Sequence, residues 1–194
     1  MRNLNKSMRN SNDERYTPPI LVEPIVPFVP KHWTVWCPFD TDDSEFVIQL
    51  RRNGNPVIAT HIWTGQDFFT YEPEHYDCII SNPPFSRKLE VLARCYELDK
   101  PFAMLLNLEC LNYQEVGAFF LNRPLQLLIP DKKVSFDGRT SSFNTSYFCN
   151  RLLPRDLMFA HLEHNNTGRN FVGSKMGGGK HGDKLSESNS GQMP

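Results

Sequence analysis

Short apolar runs recur along this chain, separated by segments in which apolar residues return at helical spacing. The runs that predict strands are residues 33–36, 56–62, 77–81, 101–106 and 125–129. Helices are predicted after Ser44, after Ser86 and over residues 109–121, and each serine is a natural helix N-cap. The run at residues 77–81 is typical of a central strand in a parallel sheet that is buried on both faces.

Both ends of the chain differ in composition from the middle. Residues 1–15 are polar and mostly basic, so they predict a flexible arm; grasping DNA phosphates is the alternative role for this arm. From residue 165 the chain is rich in glycine and serine and predicts a disordered tail, residues 165–194. One folded domain is therefore expected over residues 16–164.

Charge and cysteine content narrow the function classes. The formal net charge of −1 excludes a strongly basic nucleic-acid binder and weighs mildly against DNA as a high-affinity partner. The cysteines form no close pair and show no metal-ligand spacing with the six histidines, so we expect reduced core thiols and no metal. With no secretory signal and no membrane-length apolar run, we expect a cytoplasmic protein without a membrane partner.

The stretch that follows the run at residues 77–81 carries the most distinctive chemistry. Pro83 and Pro84 cannot extend the strand's hydrogen-bond ladder, so the chain leaves the sheet in a stiff, extended turn. The Asn82 side-chain oxygen and the Pro83 carbonyl can both accept hydrogen bonds from one amino group, and Phe85 offers a flat apolar face beside it. This combination suits an amino group on a planar ring.

Asn82-Pro83-Pro84-Phe85 resembles the catalytic tetrapeptide Asp/Asn/Ser-Pro-Pro-Tyr/Phe/Trp of S-adenosylmethionine-dependent amino-methyltransferases, above all the adenine-N6 DNA enzymes. Residues 16–162 as a whole resemble small phage-borne proteins of that type. An ordinary Pro-Pro turn is the alternative, and further matches in the family's order argue against it. The resemblance implies an α/β fold, Rossmann-like as in class I methyltransferases: a mostly parallel seven-stranded sheet, helices on both faces and a late antiparallel hairpin over residues 141–149.

Three segments match the family's cofactor-binding parts, with departures. Tyr16, Thr17 and Pro18 resemble the motif that covers the methionine end of S-adenosylmethionine. Phe39 matches the cofactor loop, which here has no glycine before Phe46. Either Asp40 contacts the methionine amino group instead, or the cofactor site is altered. Nothing acidic ends the second predicted strand, where the family often binds the cofactor ribose.

Asp67 and Phe68 follow Gly65 and resemble the pair that binds the cofactor adenine. Asp67 would accept a hydrogen bond from the amino group of the cofactor's adenine, and Phe68 would pack against that adenine ring. An Asx-type turn with Phe68 in the core is the alternative.

The resemblance also implies a mechanism on DNA. Asn82, Pro83, Pro84 and Phe85 would form the catalytic turn, and a flipped adenine would stack between Phe85 and Phe143, although Phe143 is equally compatible with a hairpin core. The phosphate contacts would come from the N-terminal arm and from Lys132, Lys133 and Arg139. Two alternatives stay open: methyl transfer to RNA or another amino-bearing molecule, and a catalytically inactive binding or inhibitor protein on a methyltransferase scaffold.

Overall fold

A single large sheet organises the protein, for which a computed structural model describes residues 17–136 and 142–163. Within these ranges the strands are β1 (Val35–Cys37), β2 (Val57–Ala59), β3 (Cys78–Ser81), β4 (Phe102–Asn107), β5 (Gln126–Pro130), β6 (Val134–Ser135), β7 (Ser142–Phe143), β8 (Thr145–Asn150) and β9 (Leu157–Ala160). The α-helices are α1 (Pro19–Val22), α2 (Glu45–Asn53), α3 (Lys88–Glu97) and α4 (Gln114–Phe120). Short 3-10 helices lie at Val26–Phe28, Ile62–Thr64, Phe85–Arg87 and Leu108–Asn112.

The large sheet has seven strands in the order β2-β1-β3-β4-β8-β5-β9. Strand β8 runs antiparallel to both of its neighbours, β4 and β5, and every other pair is parallel. The predicted Rossmann-like α/β fold, with a mostly parallel seven-stranded sheet and a late antiparallel pair, is confirmed. In this topology the carboxyl ends of β1, β2 and β3 lie at one edge of the sheet.

Helices cover both faces of the sheet, and this explains why its strands are apolar on both sides. Val35 and Cys37 of β1 share one core with α1 and α2, whereas Trp36 between them belongs to a second core with α3 and α4. Alternate residues of a strand point to opposite faces, so each central strand must supply apolar side chains to both cores. This rule accounts for the buried run of β3.

Helix α2 shows how local sequence sets the element boundaries. The helix follows the extended residue Ser44 and ends at Gly54, whose φ of 104° places it in the left-handed region. Glycine adopts this conformation without a Cβ penalty, and its N–H satisfies the carbonyls of Leu50 and Arg51. The chain then turns directly into β2.

Two helix predictions need correction. Ser86 is not the N-cap of α3, because Pro84 is extended and a 3-10 turn, Phe85–Arg87, precedes the helix. The helix predicted over residues 109–121 is divided into Leu108–Asn112 and α4, since Tyr113 is extended between them.

The late part of the sheet also differs from the prediction. Residues 141–149 do not pair with each other as a hairpin: β7 pairs with β6, while β8 enters the large sheet between β4 and β5. All six residues of β8 are buried, so this strand fits the centre of the sheet better than an exposed hairpin. Strand β9 follows at the sheet edge and was not predicted.

The remaining general expectations concern the core and the chain ends. All five cysteines are buried free thiols. Residues 1–15 and 165–194, for which an arm and a tail were predicted, lie outside the described residues. None of the helices in the described ranges is long and apolar enough to cross a membrane.

We expect Tyr147→Phe to lower the free energy of unfolding by about 1–3 kcal/mol, because the buried Tyr147 hydroxyl donates to the Leu21 carbonyl at 2.8 Å and ties β8 to α1. Tyr96→Phe is the matched control. The Tyr96 hydroxyl also donates to a carbonyl, that of Pro124, but at an exposed site where water can replace it. Urea unfolding should show a clearly smaller loss for the control, and equal losses would contradict this assignment.

Candidate active site

The residues 82–85 form a stiff turn at the carboxyl end of β3. Ser81 is the last residue of the strand, Pro83 is buried, and Pro84 is extended with φ −61° and ψ 123°. The Lys88 ammonium donates to the Phe85 carbonyl at 3.3 Å and so closes the turn onto the start of α3. A turn of this kind at the carboxyl edge of a parallel sheet is where open α/β folds bind ligands.

The Asn82 amide is held on one side and open to a donor on the other. Its Nδ2 donates to Thr17 Oγ1 at 3.1 Å, across 65 residues of sequence. Its Oδ1 is buried and, among the described residues, accepts no hydrogen bond. A buried acceptor without a partner costs about 1–3 kcal/mol, so such atoms are rare and point to a ligand or a functional role.

Ser81 and Asp40 join the ends of β3 and β1. The Ser81 hydroxyl donates to the Asp40 carboxylate, which also accepts a hydrogen bond from the Ser44 hydroxyl. The Asp40 N–H donates to the Thr60 carbonyl at 3.2 Å, just beyond the end of β2. Through its carboxylate and its backbone N–H, Asp40 therefore connects three neighbouring strand ends.

Asp40 is a buried carboxylate at the edge of the sheet, and its pKa lies above the usual range for aspartate. Burial raises its pKa to about 6, and the hydrogen bonds from Ser81 and Ser44 offset only part of this effect. No lysine or arginine in the described part of the chain forms an ion pair with it. The site therefore holds an acceptor whose negative charge is uncompensated.

An aromatic cluster lies beside this edge. The Phe68 ring centroid is 5.0 Å from that of Phe39 and 5.3 Å from that of Trp36. Phe68 is 1% exposed, which leaves almost no surface for a ligand and favours the core alternative for this residue. Phe39 is half-buried and keeps part of its ring accessible.

Asp67 sits in a turn that its own side chain stabilises. Its Oδ1 accepts from the Phe69 N–H at 3.1 Å, and its carbonyl accepts from the N–H groups of Thr70 and Tyr71. The Asx-type turn considered for this segment is thus present. A carboxylate has a second oxygen and can accept further hydrogen bonds, so the turn is compatible with a ligand contact.

Several predicted site residues meet at this edge and others do not. Thr17 contacts Asn82, and Asp40 contacts Ser81, the residue that precedes Asn82 in the chain. Pro18 is the extended residue before α1. Tyr16 and the side chain of Phe143 lie outside the described residues.

Two of the predicted phosphate contacts, Lys132 and Lys133, lie between β5 and β6. The Lys132 ammonium donates to the Leu162 carbonyl, and Lys133 is exposed. Arg139 lies outside the described residues.

Sequence reasoning missed the polar residues that support the site. Ser81 was interpreted only as a strand end, and Ser44 only as a helix cap. A serine that closes an otherwise apolar buried strand needs a hydrogen-bond partner, and this requirement was the available signal. The identity of that partner, Asp40, depends on which strands are neighbours.

No protein-family model matches this chain, and no curated protein sequence matches it. Similar solved structures include a modification subunit of a putative type I restriction enzyme from Vibrio vulnificus, 12% identical with a TM-score of 0.49 over 82% of this chain and 49% of that one. A release factor-specific protein-(glutamine-N5) methyltransferase from Alicyclobacillus acidocaldarius is 15% identical, with a TM-score of 0.37 over 69% of this chain and 93% of that one.

A predicted O-methyltransferase from Agrobacterium tumefaciens is 10% identical, with a TM-score of 0.40 over 75% of this chain and 85% of that one. This chain spans about half the length of the restriction-enzyme subunit. With TM-scores below 0.5, these similarities assign no activity, so the functional argument rests on the chemistry of the site.

The raised pKa of Asp40 predicts a pH-dependent stability. Between pH 4 and 6 the unfolded chain loses the Asp40 carboxyl proton while most of the folded protein keeps it, so the free energy of unfolding falls as pH rises, by about 2 kcal/mol across this window. The neighbouring Cys37 and Tyr147 are neutral in this window because the ordinary pKa values of a thiol and a phenol lie well above pH 6, and burial raises both pKa values further.

Asp40→Asn removes this titration, and we expect its stability relative to wild type to increase steadily from pH 4 to pH 6. Urea unfolding at several pH values measures the difference. Asp42→Asn, at an exposed carboxylate, is the control and should not reproduce the trend. A constant difference between wild type and Asp40→Asn would refute the raised pKa.

Proposed function

We propose that this protein is an S-adenosylmethionine-dependent methyltransferase that acts on the exocyclic N6 amino group of adenine in DNA, by base flipping and direct methyl transfer. The observation that carries the proposal is the buried Oδ1 of Asn82 at the carboxyl end of β3, which has no hydrogen-bond partner among the described residues. An amino group on a planar ring supplies the donor that this atom lacks. The Asn-Pro-Pro-Phe sequence of the turn supports the same class of substrate.

The chemistry follows from what the turn accepts. The lone pair of an aromatic amino group is delocalised into the ring, so the nitrogen is a poor nucleophile. When Asn82 Oδ1 and the Pro83 carbonyl accept hydrogen bonds from its two N–H groups, the nitrogen becomes more tetrahedral and its lone pair becomes available. The methylated nitrogen is acidic while it carries a positive charge, so it can lose a proton to water and no strong base is needed.

Adenine in a duplex reaches the turn only after leaving the base stack. Phe85 is half-buried next to Asn82 and offers the flat surface on which an extruded base would stack. Stacking on an aromatic side chain is worth about 1–3 kcal/mol per base, comparable with the cost of extrusion. Phe143 stays the proposed second face, and the backbone of β7 places it opposite Val134 of β6.

The charges of the site fit S-adenosylmethionine, a cation-bearing cofactor. Asp40 is a buried carboxylate with a raised pKa, and a nearby positive charge would favour its ionised form. The ammonium and sulfonium groups of S-adenosylmethionine both meet this need, and the sulfonium supplies the methyl group. Asp40, the accessible part of the Phe39 ring and the second oxygen of Asp67 are the groups that would hold the cofactor.

A catalytically inactive binding protein is the competing candidate, and specific observations favour it. Thr17 and Asp40, both predicted to contact the cofactor, already make hydrogen bonds within the protein. The loop between Phe39 and Phe46 contains no glycine, so its backbone cannot approach a ligand as glycine-rich loops do. Cofactor binding separates the two candidates.

We expect wild type to bind S-adenosylmethionine and to methylate adenine in DNA, whereas Asn82→Ala retains binding and loses methyl transfer by 100-fold or more, because the acceptor for the amino protons is gone. Calorimetry measures binding, and mass spectrometry of nucleosides from duplex DNA, single-stranded DNA and RNA identifies the product. Methylation of RNA alone would select the RNA alternative. A folded wild type that binds no cofactor would overturn the enzyme proposal.

Asp67→Asn tests the cofactor contact without breaking the turn, because the asparagine Oδ1 can still accept from the Phe69 N–H. We expect the affinity for S-adenosylmethionine to fall about tenfold. The other carboxylate oxygen is replaced by an amide NH2 group, a donor that would face the amino group of the cofactor's adenine. Thermal unfolding should stay close to wild type. Unchanged affinity would mean that Asp67 serves the turn alone.

A further inference from the structure

We propose that Thr17 is a positioning residue that orients the Asn82 amide for reaction, an inference that rests on the proposed function. Thr17 is 9% exposed, and its hydroxyl accepts a hydrogen bond from Asn82 Nδ2 at 3.1 Å. Among the described residues, the same amide's Oδ1 has no partner. One end of the amide is thus fixed by the protein, and the other end is left to the substrate.

Orientation matters because an asparagine side chain has two unlike ends. If the amide rotates by half a turn, its NH2 group faces the substrate amino group, and two donors then oppose each other. When the substrate donates to Oδ1 and Thr17 accepts from Nδ2, both ends of the amide are paired. In this arrangement the buried Oδ1 gains the donor that it lacks among the described residues.

The segment that carries Thr17 is anchored firmly enough to hold the amide. Pro18 follows with φ −61°, and α1 begins at the next residue. Gln49 Nε2 donates to the Pro19 carbonyl at 3.0 Å, and the Tyr147 hydroxyl donates to the Leu21 carbonyl at 2.8 Å. Bonds from α2 and β8 therefore fix α1, and with it the position of the Thr17 hydroxyl.

This role differs from the cofactor contact that the sequence predicts for Thr17. A cofactor contact would mainly change the affinity for S-adenosylmethionine. A residue that orients Asn82 would mainly change the rate of methyl transfer at saturating cofactor and leave that affinity nearly intact. The two roles are distinguished by which of these quantities changes.

The test compares Thr17→Val, which removes the acceptor at similar volume, with Thr17→Ser, which keeps it. For Thr17→Val we expect the single-turnover rate on adenine-containing DNA to fall about 10- to 100-fold, with cofactor affinity changed less than about threefold. Thr17→Ser should recover most of the rate. A wild-type rate in Thr17→Val, or a loss of cofactor affinity that accounts for the whole effect, would overturn the proposal.

A second measurement is independent of activity. In a ¹⁵N-labelled protein, the Asn82 side-chain NH2 resonances, assigned from their loss in Asn82→Ala, should shift in Thr17→Val and return toward wild type in Thr17→Ser. Unchanged resonances in Thr17→Val would show that Thr17 does not hold the amide, and would overturn the proposal. If wild type transfers no methyl group while the resonances respond as expected, the proposed function fails and the contact itself stands.

Discussion

The hydrogen bond from the Ser81 hydroxyl to the buried Asp40 carboxylate is the interaction on which the site depends. It joins the carboxyl ends of β3 and β1, and the Asp40 N–H extends the connection to Thr60 beyond β2. Because the bond is buried, water cannot replace it at low cost. Asn82 follows Ser81 directly, so its position is set by the same connection.

This edge of the sheet is rigid, yet among the described residues it holds polar groups that lack a hydrogen-bond or ion-pair partner. The apolar cores on both faces hold the strands, and the prolines after Asn82 restrict the backbone of the turn. Within this frame, and among the described residues, the Asn82 oxygen has no hydrogen-bond partner and Asp40 has no ion-pair partner. Folding alone would favour neither feature, and the proposed site for an amino group and a positively charged cofactor would account for both.

The loop after β1 contains no glycine between Phe39 and Phe46. In glycine-rich loops the backbone itself approaches the ligand. Here the Asp40 side chain, braced by Ser81 and Ser44, occupies the corresponding place in the chain. The same bracing supports the inactive alternative, because hydrogen bonds that hold a side chain for a ligand also stabilise it without one.

The sequence by itself determined most of the elements and the unusual turn at residues 82–85, because apolar periodicity and proline geometry are local properties. The α/β class was implied by the resemblance of that turn and its flanking segments to amino-methyltransferases. It placed β8 in a hairpin and missed β9, since strand partners are chosen by packing between distant segments. The tertiary structure alone decided that Thr17 meets Asn82 and that Asp40 meets Ser81. These pairs are separated by 65 and 41 residues, and only the order of strands in the sheet and the anchoring of α1 bring them within hydrogen-bonding distance.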